Sequence, residues 1–237
     1  MSFALEKVVP WGRSFEEYVS MFKLSEDDLK GNILGCSDGP ASFNSSLTNQ
    51  GGTVTSLDPI YGLSAEEIQK RIDETYDVVL EQVRNNKEDF VWGKIKTPRE
   101  LGEIRMQAMS AFLSDFPAGI KAGRYVEGSL PALPFASQQF DLAVCSHFLF
   151  LYSEPLSEDF HVESILELCR VAREVRIFPI IEFGSNASRH LDSVISRLKQ
   201  QNYESLIETV PYAFQKNGNQ MLKIRRVEPA ASASSAT

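Results

Sequence analysis

The chain has little cysteine and little histidine: three of each in 237 residues. Cys36, Cys145 and Cys169 stand singly in apolar surroundings, with no Cys-x-x-Cys pair. That excludes a disulfide framework and a cysteine-based metal site, and is the usage of a reduced, cytoplasmic protein. No histidine and carboxylate share metal-ligand spacing, so no metal is expected. Positive charge is also short: 24 Lys and Arg against 32 Asp and Glu leave a net charge of −8. A chain so charged is not expected to hold nucleic acid by electrostatics. No apolar run approaches the length of a membrane span, so no membrane partner is expected. Met1 to Lys7 lacks the charged-then-apolar order of a signal peptide, which again points to the cytoplasm.

What is present is a hydrophobic share of 43%, enough for one large domain with a full core. The chain is organised around residues 32–43. A short apolar strand there runs into a loop of small residues, Gly35-Cys36-Ser37-Asp38-Gly39-Pro40-Ala41. A short helix over 42–50 follows and is stopped by Gly51-Gly52. A second strand, 53–57, ends on Asp58-Pro59. Strand, glycine-containing turn, helix, strand and terminal carboxylate make half of a nucleotide-binding α/β unit. Small residues let the backbone approach a ligand, and the acid is placed to accept hydrogen bonds from ribose hydroxyls.

Upstream, Ser14 with Glu17 is a capping box, so a helix starts there, and Ser25 with Asp28 repeats the signal. The arm before the first strand (1–30) carries Trp11, Arg13 and Tyr18, which either fold over the ligand loop or pack on the core. Downstream, about 65 residues separate Asp58 from the next convincing strand, more than a crossover needs. Two helices fit there: one capped by Ser64 and Glu67, one opened by Thr97-Pro98-Arg99-Glu100 and closed by Phe116-Pro117-Ala118-Gly119. The insertion, 62–122, is a cap over the site or a decorated crossover; the pattern alone leaves both open.

Residues 124–128 form a third strand. Phe140-Asp141-Leu142-Ala143-Val144-Cys145 is nearly continuous apolar sequence, as in a strand buried on both faces of a parallel sheet. A helix over 158–172, a fifth strand over 175–181 and an amphipathic helix over 188–201 follow. Two alternating runs then flank Gln215-Lys216-Asn217-Gly218-Asn219, a hairpin signal. The small, polar residues 229–237 are expected to be a disordered tail.

These features together resemble the class I S-adenosylmethionine-dependent methyltransferases over roughly residues 30–226. The family's first motif, acid-x-Gly-x-Gly-x-Gly, is represented by Gly35-x-Ser37-x-Gly39-x-Ala41, without the acid. Asp58 matches the ribose-binding acid, and Ser129-Leu130 matches the stretch that contacts adenine. Leu133-Pro134-Phe135 followed by Phe140-Asp141-Leu142 looks like the signature before the fourth strand, and Arg170 to Val175 like the turn into the fifth. Trp11-Gly12-Arg13-Ser14 and Ser146 to Tyr152 look like a bacterial subgroup of unnamed substrate.

The resemblance implies a doubly wound, mainly parallel, seven-stranded Rossmann-like sheet ending in an antiparallel hairpin, within a domain spanning 31–228. It implies S-adenosyl-L-methionine as cofactor, held by Arg13, Gly35, Cys36, Ser37, Asp38, Gly39, Asp58, Pro59, Ser129, Leu130 and Ser146. It also implies methyl transfer, with His147 and Tyr152 as catalytic candidates; the acidic charge points to a small-molecule acceptor before a nucleic acid, and a protein side chain stays open. His147 is the better base, because an imidazole titrates near neutrality. Two other readings remain: a non-catalytic nucleoside-binding protein, and a nicotinamide-dependent oxidoreductase. The latter's Gly-x-Gly-x-x-Gly is not met by a loop offering only Gly35 and Gly39.

Overall fold

The computed structural model describes residues 9–227. The expected tail lies outside them, as does the start of the N-terminal arm. Seven strands form one sheet in the order β3-β2-β1-β4-β5-β7-β6. They are β1 (Asn32–Cys36), β2 (Thr53–Leu57), β3 (Tyr125–Val126), β4 (Phe140–Ser146), β5 (Ala172–Phe178), β6 (Tyr203–Thr209) and β7 (Gln220–Arg226). The first five pair in parallel, whereas β7 is antiparallel to both β5 and β6. This is the Rossmann-like sheet with a terminal hairpin that the resemblance implies.

Alternation along the strands makes both faces dry. Leu34, Cys36, Ala143, Cys145, Val175 and Ile177 pack under helices α6 (Glu158–Val171) and α7 (Leu191–Gln200). Their neighbours Ile33, Leu142, Val144 and Phe178 face the other layer, with α1 (Phe15–Met21) and α3 (Phe43–Asn49). Successive side chains of a strand point to opposite faces, so two buried faces require the continuous apolar run seen in β4. The short α2 (Glu26–Lys30) leads into β1.

The long segment between β2 and β3 is α4 (Ala65–Asn85) and α5 (Pro98–Lys121), packed on each other. Ser64 and Glu67 form the reciprocal capping box of α4, and the Thr97 side chain caps α5. Three boundaries differ from expectation. Pro117 does not end α5; it is exposed in the last turns, where the bond it forfeits is cheaply replaced by water. The stretch around Arg170 is no turn, because α6 runs to Val171 and β5 begins at Ala172, earlier than 175. The hairpin is not closed by a two-residue Asn-Gly turn: residues 210–219 make a long connection that pairs elsewhere.

Candidate functional site

Strand order reverses between β1 and β4, and a cavity of about 870 Å³, its open mouth included, lies beyond their carboxyl ends. This is where open α/β sheets bind ligands. Its floor is the loop after β1. Ser37 (φ 57°) and Gly39 (φ 54°) turn the chain in the left-handed region. The Ser37 amide donates to the Leu57 carbonyl at 2.8 Å, and the buried Tyr61 hydroxyl donates to the Gly39 carbonyl at 2.7 Å. Asp58 clamps the loop from β2: its two carboxylate oxygens accept the amides of Gly39 and Ile60, each at 2.9 Å. Burial raises the Asp58 pKa against those two bonds.

Asp38 is buried and turned back over β1. It accepts hydrogen bonds from the Tyr18 hydroxyl at 2.7 Å and the Ser56 hydroxyl at 2.6 Å. Burial pushes it up to about 7, the two hydroxyls holding it down and Asp58 adding to the rise.

At the end of β4, the Ser146 hydroxyl and His147 Nδ1 lie 2.9 Å apart. His147 has φ 51°, uncommon for a side chain of this size and the kind of backbone strain that collects at functional sites. Its amide continues the sheet by donating to the Phe178 carbonyl at 2.7 Å. Burial, then the charges of Arg13 and Arg105, drive its pKa well below the usual imidazole value, so it is neutral at pH 7. Tyr152 sits in the short 3-10 turn Phe150–Tyr152, and burial pushes its phenol up to about 12. It is therefore a hydrogen-bond donor near neutrality and not a base.

Behind these residues lies a network that sequence reasoning missed. Arg105 of α5 is fully buried and forms an ion pair with Glu17 of α1, while the Tyr212 hydroxyl donates to Glu17 at 2.9 Å. Burial would raise the Glu17 pKa, but the charge and hydrogen bond of Arg105 outweigh it and hold the acid at about 2. Arg105 looked like one polar residue on an amphipathic helix, so no local signal marked it.

Of the predicted residues, Arg13, Ser37, Asp38, Gly39, Asp58, Ser146, His147 and Tyr152 line the cavity together. Gly35 lies under Asp38. Cys36 is buried in the core, Pro59 opens an exposed turn, Ser129 is exposed and Leu130 packs in the core with Leu57; none of the four lines the cavity. The cavity also has a wall made by Val9, Trp11, Val79, Val83, Phe90 and Phe214; Trp11 and the insertion were among the alternatives expected to reach the site, whereas Val9 and Phe214 were not. Val79 and Val83 belong to α4, so the insertion does reach the site. Among the described residues, no group of three His, Cys, Asp or Glu side chains is placed to hold a metal ion, and no helix is long and apolar enough to cross a membrane.

No family model matches the chain. A search of curated proteins finds the uncharacterized protein MJ0045 of Methanocaldococcus jannaschii, 36% identical over 223 residues, covering 94% of this chain and 98% of that one. The chain belongs to the MJ0045 family. Solved structures similar to this MJ0045-family chain include a magnesium protoporphyrin IX methyltransferase from Synechocystis PCC 6803 with bound SAM. It is 12% identical, with coverage of 90% of this chain and 77% of that one and a TM-score of 0.46. Another is a TehB-like SAM-dependent methyltransferase from Corynebacterium glutamicum, 14% identical, with coverage of 84% and 81% and a TM-score of 0.43.

Proposed function

We propose that this chain is an S-adenosylmethionine-dependent methyltransferase acting on a small molecule. The observation that carries the reading is the cavity at the switch point between β1 and β4, with the Asp58 carboxylate at the end of β2 facing into it. Each Asp58 oxygen accepts one backbone amide. Each keeps a further lone pair, which fits a pair of ribose hydroxyls. The loop fits this cofactor better than a dinucleotide. A pyrophosphate needs free loop amides, but those of Ser37 and Gly39 are already spent on Leu57 and Asp58.

When bound, the cofactor supplies an activated methyl group on a sulfonium. The residues of this chain then have modest tasks: to align the acceptor and to exclude water. Ser37, Asp38, Gly39, Asp58 and Ser146 form the cofactor side. Tyr152 donates a hydrogen bond, and in the neutral tautomer of His147 whose Nδ1–H donates to the Ser146 hydroxyl, Nε2 is free to take a proton from an acceptor that carries one, as a weaker base than a free imidazole.

Calorimetry with S-adenosylmethionine, S-adenosylhomocysteine and NAD⁺ tests this. Wild type should bind both adenosyl ligands and not NAD⁺, and Asp58→Ala should weaken them roughly tenfold or more, the worth of one or two hydrogen bonds to a charged group. If wild type binds neither adenosyl ligand, the reading fails. Binding without methyl transfer to any member of a broad acceptor panel would favour a nucleoside-binding protein instead.

A further inference from the structure

The cavity has a second half that the cofactor reading does not use. Its wall is one apolar cluster, in which Val79, Val83, Phe90, Leu101 and Phe214 are buried and Val9, Trp11 and Trp92 pack against them. The rings of Phe90 and Phe214 lie 4.8 Å apart, and Trp92 meets Phe214 edge-on at 5.8 Å. Two distant segments hold this wall in place. The Val91 amide donates to the Phe214 carbonyl at 2.7 Å, and the Lys216 amide to the Asp89 carbonyl at 2.9 Å.

Into this apolar space the chain puts a cation. Arg13 lines the cavity, and its Nη1 donates to the Trp11 carbonyl. Its Nε is buried and has no hydrogen-bond partner, and among the described residues no carboxylate is within ion-pair distance of it. Glu17, whose charge acts on Arg13, is itself held by Arg105 and Tyr212. Arg13 shares the lining of the cavity with His147 and Tyr152, which follow β4, and with Trp11, Phe90 and Phe214 of the apolar wall. Guanidinium stays protonated in proteins, and Arg13 is half-buried with its Nε unpartnered and no carboxylate at ion-pair distance among the described residues. An anion on a ligand in the cavity would meet this guanidinium, and the planar fork of Arg matches a carboxylate.

We propose that the acceptor is a planar apolar molecule bearing a carboxylate, its rings against Trp11, Phe90 and Phe214 and its carboxylate on Arg13. Calling it the acceptor rests on the methyltransferase reading; the binding site itself does not. The proposal assigns Arg13 to the acceptor and not to the cofactor.

The probes are 2-naphthoate and the uncharged, similarly shaped 2-naphthamide, titrated calorimetrically into wild type, Arg13→Gln, Arg13→Lys and Phe214→Ala, with S-adenosylhomocysteine titrated into each. Wild type should prefer the acid to the amide by about tenfold or more, as one charge-assisted pair provides. Arg13→Gln should abolish the preference, Arg13→Lys should keep part of it, and Phe214→Ala should weaken acid and amide alike. Arg13→Gln should hold S-adenosylhomocysteine as wild type does. Equal binding of acid and amide by wild type, or binding of neither, overturns the proposal even if a variant fails to fold. So does an Arg13→Gln protein that keeps its preference for the acid, or one that loses S-adenosylhomocysteine while binding naphthoate normally. Naphthoate binding without S-adenosylhomocysteine binding in wild type would remove the methyltransferase reading and leave the acid site standing.

Discussion

Gly35 shows how tightly the ligand loop is built at single residues. Its backbone is not in the left-handed region, so what it supplies is space. A Cβ added there would lie 1.8 Å from Asp38 Oδ2 and 2.5 Å from the carboxyl carbon. Asp38 has nowhere to retreat, since it is buried and holds the Tyr18 and Ser56 hydroxyls. Gly35→Ala should therefore displace Asp38 and strand both hydroxyls, lowering unfolding free energy by about 2–4 kcal/mol, in the range of a broken buried polar network. Asp38→Ala alone should destabilise too. The double variant should cost clearly less than the sum, because once the carboxylate is gone the new methyl group has room. Urea denaturation of the four proteins checks this; strict additivity would mean that Gly35 is not there for Asp38.

Among the elements, the extended strap before α1 matters most to the site, since it carries Trp11 and Arg13. It is fastened where the Arg13 carbonyl accepts the Ser42 amide at 3.0 Å, and where Gly12 presses on the loop. A Cβ on Gly12 would stand 2.0 Å from the carbonyl oxygen of Pro40, a backbone atom that cannot swing aside. Gly12→Ala should lift the strap at a cost of about 1–3 kcal/mol, as overpacking does. Trypsin should then cut after Arg13 in a variant whose wild-type parent resists, and unchanged resistance would count against the strap as a fixed wall.

The strap also marks how far local pattern reaches. The capping boxes at Ser14 and Ser64, the apolar run of β4 and the acid ending β2 are legible because each signal and its consequence lie within a few residues. The terminal hairpin was legible as two alternating runs. Its Asn-Gly was a poor guide to the turn, because Phe214 to Lys216 are recruited by the segment around Phe90 from the other side of the chain. The aromatic wall and the Glu17–Arg105–Tyr212 network share that character, being assembled from positions whose neighbours in sequence say nothing of each other. Ser129 and Leu130 were carried over from the resemblance alone, and they lie outside the cavity lining together with Gly35, Cys36 and Pro59.

On the scale of the whole molecule, the buried groups make stability depend on pH in opposing ways. Glu17, held at about 2, contributes stability that is present above its unfolded value near 4.5 and lost as pH falls through 2. His147 stays neutral in the fold while an unfolded histidine takes up a proton, so its contribution is lost as pH falls below about 6.5. Asp38 runs the other way. Burial raises it to about 7, so the folded protein keeps a proton that the unfolded chain has released above about 4. Its favourable contribution is full below pH 4 and is lost as pH rises through 7. A shift of about three pH units corresponds to roughly 4 kcal/mol at most. Just below pH 6.5 the His147 and Asp38 effects oppose each other and flatten the wild-type profile. The pH dependence of the difference between Asp38→Asn and wild type isolates the titration of the carboxylate, since an amide keeps the shape without titrating, its oxygen accepting one hydroxyl and its NH2 donating to the oxygen of the other. Relative to wild type, Asp38→Asn should gain stability steadily from pH 5 to pH 7 and level off by about pH 8. Urea unfolding of both proteins at each pH measures the gap. A gap that is constant from pH 5 to 8 would mean that Asp38 is ionised throughout and that burial does not hold a proton on it.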